Sequence, residues 1–194
     1  MRRGVPLHGA DHIDMARRAG RLAAEVLSII EPYVVAGVST QDGVCHGIPT
    51  SETILKDGDI INIDVAVIKD GWFGDTSRMY YVGTPSVLAR RLVETTYQAM
   101  LAGIGQTYHG EPQVLHYGRR GQGLVLKPGM IFTIEPMLNA GRGDTRQLSD
   151  GWTVVTQDKS LSAQWEHMVV VTSEGYEVLT PWPDAADSST GLLA

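Results

Sequence analysis

The chain has 194 residues, of which 43% are hydrophobic and 20% charged, so we expect one globular domain that buries about 70% of its unfolded surface. Its net charge of −6 argues against nucleic acid as a direct partner, and its single cysteine, Cys45, excludes an internal disulfide. The sequence has neither an apolar run of membrane-spanning length nor a signal-peptide core, so we expect a cytoplasmic protein without a membrane partner.

The N-terminal part predicts one helix followed by a loop. Residues 1–12 are expected to be a loose lead-in. Apolar residues recur at helical spacing from Asp14 to Ile30, and Pro32 should end the helix because its ring cannot continue the hydrogen-bond ladder. Residues 38–52 are rich in glycine, serine and threonine, which predicts a loop.

The next stretch, residues 57–83, predicts a β-hairpin. Its first half is rich in β-branched residues, and Asp70-Gly71 is the signal for a two-residue type I′ turn. In that register Ala66 faces Asp75, so Asp64 and Asp75 lie on one face of the sheet. Diagonal neighbours lie about 7–8 Å apart, so the two carboxylates can converge on a hard cation.

The remaining residues predict a second helix, a loop and three strands. The helix should start at Thr84-Pro85 and stop at Gly103. A glycine-rich loop follows, and the strands are expected at residues 130–138, 152–156 and 164–172. Because prolines, acids and serines dominate the end of the chain, we expect a domain of residues 1–180 and a disordered tail of residues 181–194.

The first hairpin strand recurs in the second half of the chain. Residues 55–64 can be laid over residues 126–135 at a constant offset of 71 positions, which places Glu135 on Asp64. Self-similarity of this length predicts two half-domains related by a pseudo-twofold axis. The second half should then supply its own pair of carboxylates, Glu135 and Glu166, facing those of the first half.

Four acids in matched positions indicate a metal site. A single carboxylate in a strand is better explained as a solvated charge or as the partner of an arginine. Four of them in a duplicated hairpin favour one hard divalent cation or a close pair. Oxygen-only donors suit Mg, Mn, Fe or Co better than a structural zinc, which would bring cysteine or several histidines.

Among the histidines, His109 is the candidate for catalysis. It lies in a glycine-rich loop, from which it can donate a hydrogen bond to a carbonyl or an oxyanion. It also opens a His-Gly-x-Pro string that occurs a second time at His46. Three further histidines lie beside apolar residues and are expected to be structural, at positions 46, 116 and 167. His8 and His12 are expected to lie on the surface of the lead-in.

Several strings resemble type I methionine aminopeptidases of the pita-bread fold. They include Cys45–Pro49, Lys127–Pro136 and Ser160–His167, of which the last two are highly specific. The resemblance implies an α+β fold, shortened here, in which duplicated half-domains surround a curved antiparallel sheet. It implies a metal-dependent hydrolase that removes the initiator methionine from nascent polypeptides. Its cofactors would be up to two divalent metal ions, drawn from Co, Mn, Fe and Zn.

The resemblance also assigns roles to residues. Four acids correspond to metal ligands of the family: Asp64, Asp75, Glu135 and Glu166. Glu135 is further expected to shuttle a proton during catalysis. His109 corresponds to a histidine that contacts the scissile peptide, and Tyr108 and Trp152 correspond to walls of the methionine pocket. The implied partner is the N-terminal methionine of a nascent chain at the ribosome, and the family is expected to be monomeric.

Two segments of the family pattern are absent from the chain. One lies between Thr40 and Cys45 and carries much of the methionine pocket. The other lies just before Gly103, where Ala102 takes the place of the single nitrogen ligand. These departures predict impaired turnover, and the uncovered sheet edges and helix faces predict marginal stability or self-association. Two alternatives follow, a catalytically inactive pita-bread binding module and the incomplete product of a longer gene.

Overall fold

Two long helices and a long hairpin dominate the architecture. The computed structural model describes residues 5–40, 44–48, 51–104 and 125–183. Its elements in chain order are α1 (Ala10–Ile30), a 3-10 turn (Glu31–Tyr33), β1 (Ser39–Thr40), β2 (Thr53–Ile54), β3 (Ile60–Lys69), β4 (Trp72–Tyr81), α2 (Val87–Ile104), β5 (Ile131–Ile134), β6 (Met137–Asn139), β7 (Thr145–Gln147), β8 (Val154–Thr156), β9 (Ser162–Gln164), β10 (His167–Val171) and β11 (Tyr176–Val178). None of these helices is long and apolar enough to cross a membrane.

Helix α1 begins four residues before the predicted start, so the lead-in is shorter than expected. The backbone N–H of His8 donates a hydrogen bond to the carbonyl of Gly129 at 2.8 Å. The rings of His8 and His12 each lie 5.1 Å from the ring of Trp72. The prediction of a loose segment was therefore wrong for His8, which is anchored to both halves of the chain.

Small residues allow α1 to pack closely on β4. The buried residues of the helix are Ala16, Ala19, Gly20, Ala23, Ala24 and Leu27. A Cβ atom at Gly74 of β4 would collide with the carbonyl of Ala19, so a glycine is required at this approach. The helix ends at Ile30 as predicted, and Pro32 follows in the 3-10 turn.

The β3–β4 hairpin has the predicted register. Ten consecutive residue pairs join the two strands without a bulge, and Ala66 faces Asp75. The turn residues Asp70 and Gly71 have φ angles of 52° and 79°, which is the left-handed conformation that a type I′ turn requires at both positions. The register prediction is confirmed, and it fixes the face on which the first two candidate metal ligands lie.

The strands of the second half are shorter than predicted. The strand expected at 130–138 is divided into β5 and β6, since Pro136 has no N–H group to donate to a ladder. The strand expected at 164–172 is divided into β9 and β10. Glu135 and Glu166 therefore lie in the breaks between strands rather than inside them. Strand β10 pairs with both β5 and β11, and β6 pairs with β9, all antiparallel.

The two halves of the chain meet where β4 passes Glu166. The backbone groups of Ser77 and Glu166 exchange hydrogen bonds of 3.4 and 3.1 Å. The buried hydroxyl of Thr76 donates to the same Glu166 carbonyl at 2.7 Å. On the neighbouring strand, the side-chain amide of Asn62 donates to the carbonyl of Gln164 at 2.7 Å. These bonds bring the carboxylates of both halves to one place.

Helix α2 differs from its prediction at both ends. It begins after Ser86, whose hydroxyl accepts a hydrogen bond from the N–H of Ala89 at 3.1 Å, so the cap is this serine and not Thr84. Gly103 lies within the helix and does not stop it. It faces Ile134, where an added Cβ would meet the side chain at 2.9 Å. Ala102 lies on the exposed side of the helix.

Aromatic rings form the centre of the core. The Trp165 ring lies 5.0 Å from the Tyr97 ring and 5.2 Å from the Trp182 ring, and Trp182 packs 3.9 Å from the ring of His167. The sequence placed Trp182 in a disordered tail, but its side chain is only 3% exposed. The packed domain thus includes this tryptophan, and residues 184–194 of the predicted tail lie outside the described residues.

We expect Trp182→Ala to lower the free energy of unfolding by about 3–5 kcal/mol, because it removes a large buried side chain from between two other rings. The matched control is Tyr176→Ala, which removes an aromatic ring that is 53% exposed. That change should cost no more than about 0.5 kcal/mol. Equal losses in denaturant unfolding for the two variants would show that Trp182 is not part of the core.

Candidate metal centre

Three carboxylates converge at the junction of the two halves. Asp64 of β3, Asp75 of β4 and Glu166, which precedes β10, each place one oxygen within 4.8 Å of the others. The register explains this grouping, because Asp64 pairs with Ser77, two residues from Asp75, and Ser77 in turn bridges to Glu166. Among the residues that the structure describes, this cluster offers oxygen donors alone, and such donors suit a hard divalent cation.

The environment of the cluster favours protonated acids when no cation is bound. Burial, and then the charges of Asp75, Asp64 and Glu135, raise the pKa of Glu166 to about 9. Burial, and then the charges of Asp75 and Glu135, raise the pKa of Asp64 to about 6, although its side chain still contacts solvent. The pKa of Asp75 is raised by burial and by the charge of Glu135. A divalent cation would relieve this repulsion and release the protons.

Glu135 lies beside the three converging acids. It is not one of the group within 4.8 Å, although its charge raises the pKa values of both aspartates and of Glu166. One of its oxygens accepts a hydrogen bond from the hydroxyl of Thr133 at 2.9 Å, and the other accepts from the amide of Gln164 at 3.4 Å. The carboxylate is thereby held at the edge of the cluster, where it can exchange a proton with a bound molecule.

The Cys45–His46 segment lies within electrostatic reach of the centre. The rings of His46 and Trp152 are stacked, with centroids 4.6 Å apart, and 55% of Trp152 is exposed. A charged His46 lowers the pKa of Asp64, so the imidazole is within electrostatic reach of the cluster. Burial, followed by the charges of Glu135 and Asp64, raises the pKa of the Cys45 thiol.

His46 is the site residue that the sequence analysis missed. It was expected to be a structural histidine, but it is exposed and has a φ angle of 58°. Its string, His-Gly-x-Pro, also occurs at His109, and this pairing was the signal that could have identified it. By contrast, His167 is structural as predicted. It is buried, its Nδ1 lies 3.0 Å from the hydroxyl of Thr180, and burial lowers its pKa to about 3.

Three residues named in the sequence analysis lie outside the described residues: Tyr108, His109 and His116. The candidate centre is therefore built from the cluster of Asp64, Asp75 and Glu166, with Glu135 at its edge and the Cys45–His46 segment within electrostatic reach.

The metal-free chain should lose stability as the pH rises from 7 to 9. The pKa of Glu166 is higher in the folded chain than in the unfolded chain, so its contribution is fully present at low pH and is lost as the pH rises through about 9. We expect a loss of about 1–2 kcal/mol over this range, measured by denaturant unfolding with a chelator present. Glu166→Gln should remove the slope, whereas the exposed control Glu174→Gln should keep it. An unchanged slope in Glu166→Gln would contradict the assignment.

Both the sequence and the fold of the chain resemble those of known metallopeptidases. The model of metallopeptidase family M24 matches residues 8–107 and 99–173. The methionine aminopeptidase of Escherichia coli strain K12 is 42% identical over 247 residues, which cover 91% of this chain and 94% of that protein. The structure of methionine aminopeptidase from Rickettsia prowazekii superposes with a TM-score of 0.86 at 38% identity, covering 92% of this chain and all of that one.

A second solved structure, the methionine aminopeptidase of Thermotoga maritima, superposes with a TM-score of 0.85 at 25% identity, covering 91% of this chain and 99% of that one. The fold prediction is therefore confirmed, and the chain has the pita-bread fold with mixed helices and antiparallel sheets.

The alignment lengths show that this chain is shorter than the Escherichia coli relative. The alignment with the Escherichia coli protein spans 247 residues, whereas 91% of 194 residues is about 177, so about 70 aligned positions have no residue in this chain. The family model matches in two pieces that overlap at residues 99–107, which include the predicted site of the second gap.

Proposed function

The chain belongs to metallopeptidase family M24, and on that basis we propose that it is an aminopeptidase that removes the initiator methionine from nascent polypeptides with the help of divalent metal ions. The observation that carries the proposal is the convergence of Asp64, Asp75 and Glu166 within 4.8 Å. The relatives that share the chain's sequence and fold at high coverage are methionine aminopeptidases. Because initiator methionine is removed as chains emerge from the ribosome, we place the activity in the cytoplasm.

The residues present fit a divalent cation. The donors are carboxylate oxygens, and burial together with their mutual repulsion raises the pKa of Asp64 and of Glu166, so a divalent cation would relieve that repulsion. Asp64, Asp75 and Glu166 would hold the metal, and Glu135 would complete the set or serve a second ion. The ions we propose are Co, Mn, Fe or Zn, up to two per chain. The chemistry supplied by such an ion is Lewis-acid polarisation of the scissile carbonyl and activation of water.

The side chains around the centre would bind and orient the substrate. Glu135 takes up and returns a proton, since its carboxylate is fixed by Thr133 and Gln164 at the edge of the cluster. The exposed face of Trp152 offers an apolar surface for the methionine side chain. From the resemblance to the family we assign Tyr108 to the methionine pocket and His109 to the scissile peptide.

A second candidate function is a catalytically inactive module that binds peptides or protein partners. The observation that favours it is the absence of about 70 positions that relatives carry, together with the exposed Ala102, which offers no donor to a metal. Such a module would retain the fold and the apolar surface of Trp152 without turnover.

Cleavage of the peptide Met-Ala-Ser by the purified chain, loaded with Mn or Co, tests the proposal. We expect slow release of free methionine that a chelator stops, and no release from Leu-Ala-Ser. Glu135→Gln should abolish the release, and the exposed control Glu174→Gln should not. If the chain binds metal and peptide without any release, the binding module is the better description.

A further inference from the structure

A tight turn at residues 150–153 supports the Cys45–His46 segment. The Asp150 carboxylate accepts three hydrogen bonds. Its Oδ1 atom accepts from the backbone N–H groups of Trp152 and Thr153, each at 2.9 Å, and Oδ2 accepts from the hydroxyl of Thr153 at 2.6 Å. The hydroxyl of Thr153 and these N–H groups lower the pKa of Asp150, so it is a carboxylate at neutral pH.

The end of this turn is fastened to the Cys45–His46 segment. The stacked rings of Trp152 and His46 lie 4.6 Å apart with 25° between their planes. The N–H of Val154 donates to the carbonyl of Cys45 at 3.2 Å, and the N–H of Val44 donates to the carbonyl of Val154 at 2.7 Å. The segment is therefore held by a ring stack from Trp152 within the turn and by a backbone bridge from Val154 directly after it.

The buried side chain of Thr153 connects Asp150 with the Cys45–His46 segment. This side chain is fully buried, and its hydroxyl lies 3.3 Å from the carbonyl of His46. The single hydroxyl proton lies mainly on the shorter bond to Asp150, so the contact with His46 is the weaker of the two. Asp150 thus fixes a buried threonine and an exposed tryptophan, and both of them touch His46.

The backbone of His46 needs such support. Its φ angle of 58° lies in the left-handed region, which residues other than glycine seldom adopt. A conformation of this kind persists only where surrounding contacts hold it, and such residues concentrate at functional sites.

From these contacts we propose that Asp150 is a positioning residue of the candidate active site: its cap on the turn holds Trp152 against His46 and so fixes the position of His46. The inference rests on the proposed function, because it takes Trp152 and His46 to contact the substrate. Asp150 itself lies on the surface and acts through the turn.

The test compares Asp150→Ala with Asp158→Ala as a matched control. Asp158 also caps a turn, by accepting from the N–H groups of Arg142 at 2.7 Å and Ser160 at 3.0 Å. The first readout is the fluorescence of Trp152. It is obtained by subtracting the fluorescence of each variant that also carries Trp152→Phe from the fluorescence of the same variant with Trp152 in place. A protonated imidazole in contact quenches indole fluorescence, so at mildly acidic pH we expect the Trp152 signal to rise in Asp150→Ala and to stay unchanged in Asp158→Ala.

The second readout is the dissociation constant of Met-Ala-Ser for the Mn-loaded chain. We expect the dissociation constant to rise about tenfold in Asp150→Ala and to stay unchanged in Asp158→Ala. A tenfold rise is the lower end of the loss in affinity that follows when a supporting hydrogen bond is removed. Asp150→Asn should restore part of the affinity, since its amide oxygen can still accept from both N–H groups. If Asp150→Ala does not fold, Thr153→Val, which replaces the hydroxyl with a methyl group, should change both readouts in the same direction.

The outcomes separate the two proposals. The positioning role is overturned if Asp150→Ala lowers the melting temperature but leaves Trp152 fluorescence unchanged. It is also overturned if Asp158→Ala changes Trp152 fluorescence as much as Asp150→Ala does. If the parent chain binds no peptide while the fluorescence still rises only in Asp150→Ala, the positioning of His46 stands and the proposed function falls.

Discussion

A saturating divalent cation should raise the thermal stability of the chain, and Glu166→Gln should remove most of that response. A ligand present at about 100 times its dissociation constant stabilises the folded state by about 2.7 kcal/mol. The response should depend on Glu166 because its carboxylate is 2% exposed and lies within 4.8 Å of those of Asp64 and Asp75. The measurement is thermal melting at pH 7.5 with and without Mn, alongside calorimetric titration.

The control for this prediction is Glu174→Gln, which makes the same chemical change on an exposed turn. It should keep the full response to the cation. Without metal, Glu166→Gln should be at least as stable as the parent chain, because it removes a buried acid that the neighbouring aspartates repel. Equal stabilisation of the parent and of Glu166→Gln by Mn would place the cation elsewhere.

Cleavage of Met-Ala-Ser should be about 10²–10³-fold slower than by a relative that carries both missing segments, such as the Escherichia coli enzyme. Position 102 holds an alanine on the exposed side of α2, so it gives no nitrogen ligand. The chain also lacks about 70 positions of this relative, and we expect them to include much of the methionine pocket. Rates per metal-loaded chain, measured side by side, check this expectation.

Restoration of the missing parts tests the reason for slow turnover. A chain that carries both segments and a histidine at position 102 should approach the rate of the relative. Ala102→His alone should gain less, because the new ligand would lack the hydrogen bonds that orient a metal-bound histidine. A rate equal to that of the relative in the chain as it stands would show that another residue has replaced the missing ligand.

The hairpin could be predicted because its rules are local. An Asp-Gly turn sets the register of two adjacent strands, and the register places Asp64 and Asp75 on one face. The internal repeat extended this reasoning to Glu135 and Glu166, and the structure brings Glu166 into the cluster. For these acids the sequence contained both the hairpin pattern and its repeat in the second half of the chain.

The features that escaped prediction depend on contacts between distant parts of the chain. His46 comes within electrostatic reach of the cluster because Cys45 bridges to Val154, more than a hundred residues away. Trp182 lies in the core because rings from α2 and from the β9–β10 region surround it, although its neighbours have the composition of a tail. No pattern within a short window of sequence reports such contacts.

The most direct test of the metal-centre account is the metal content of the purified chain after equilibrium dialysis against Mn, measured together with Met-Ala-Ser cleavage on the same sample. The account predicts at least one bound ion per chain, slow release of methionine, and loss of both in Glu166→Gln. A chain that binds no metal, gains no stability from it and still keeps its fold would contradict the assignment of Asp64, Asp75 and Glu166 as a metal centre.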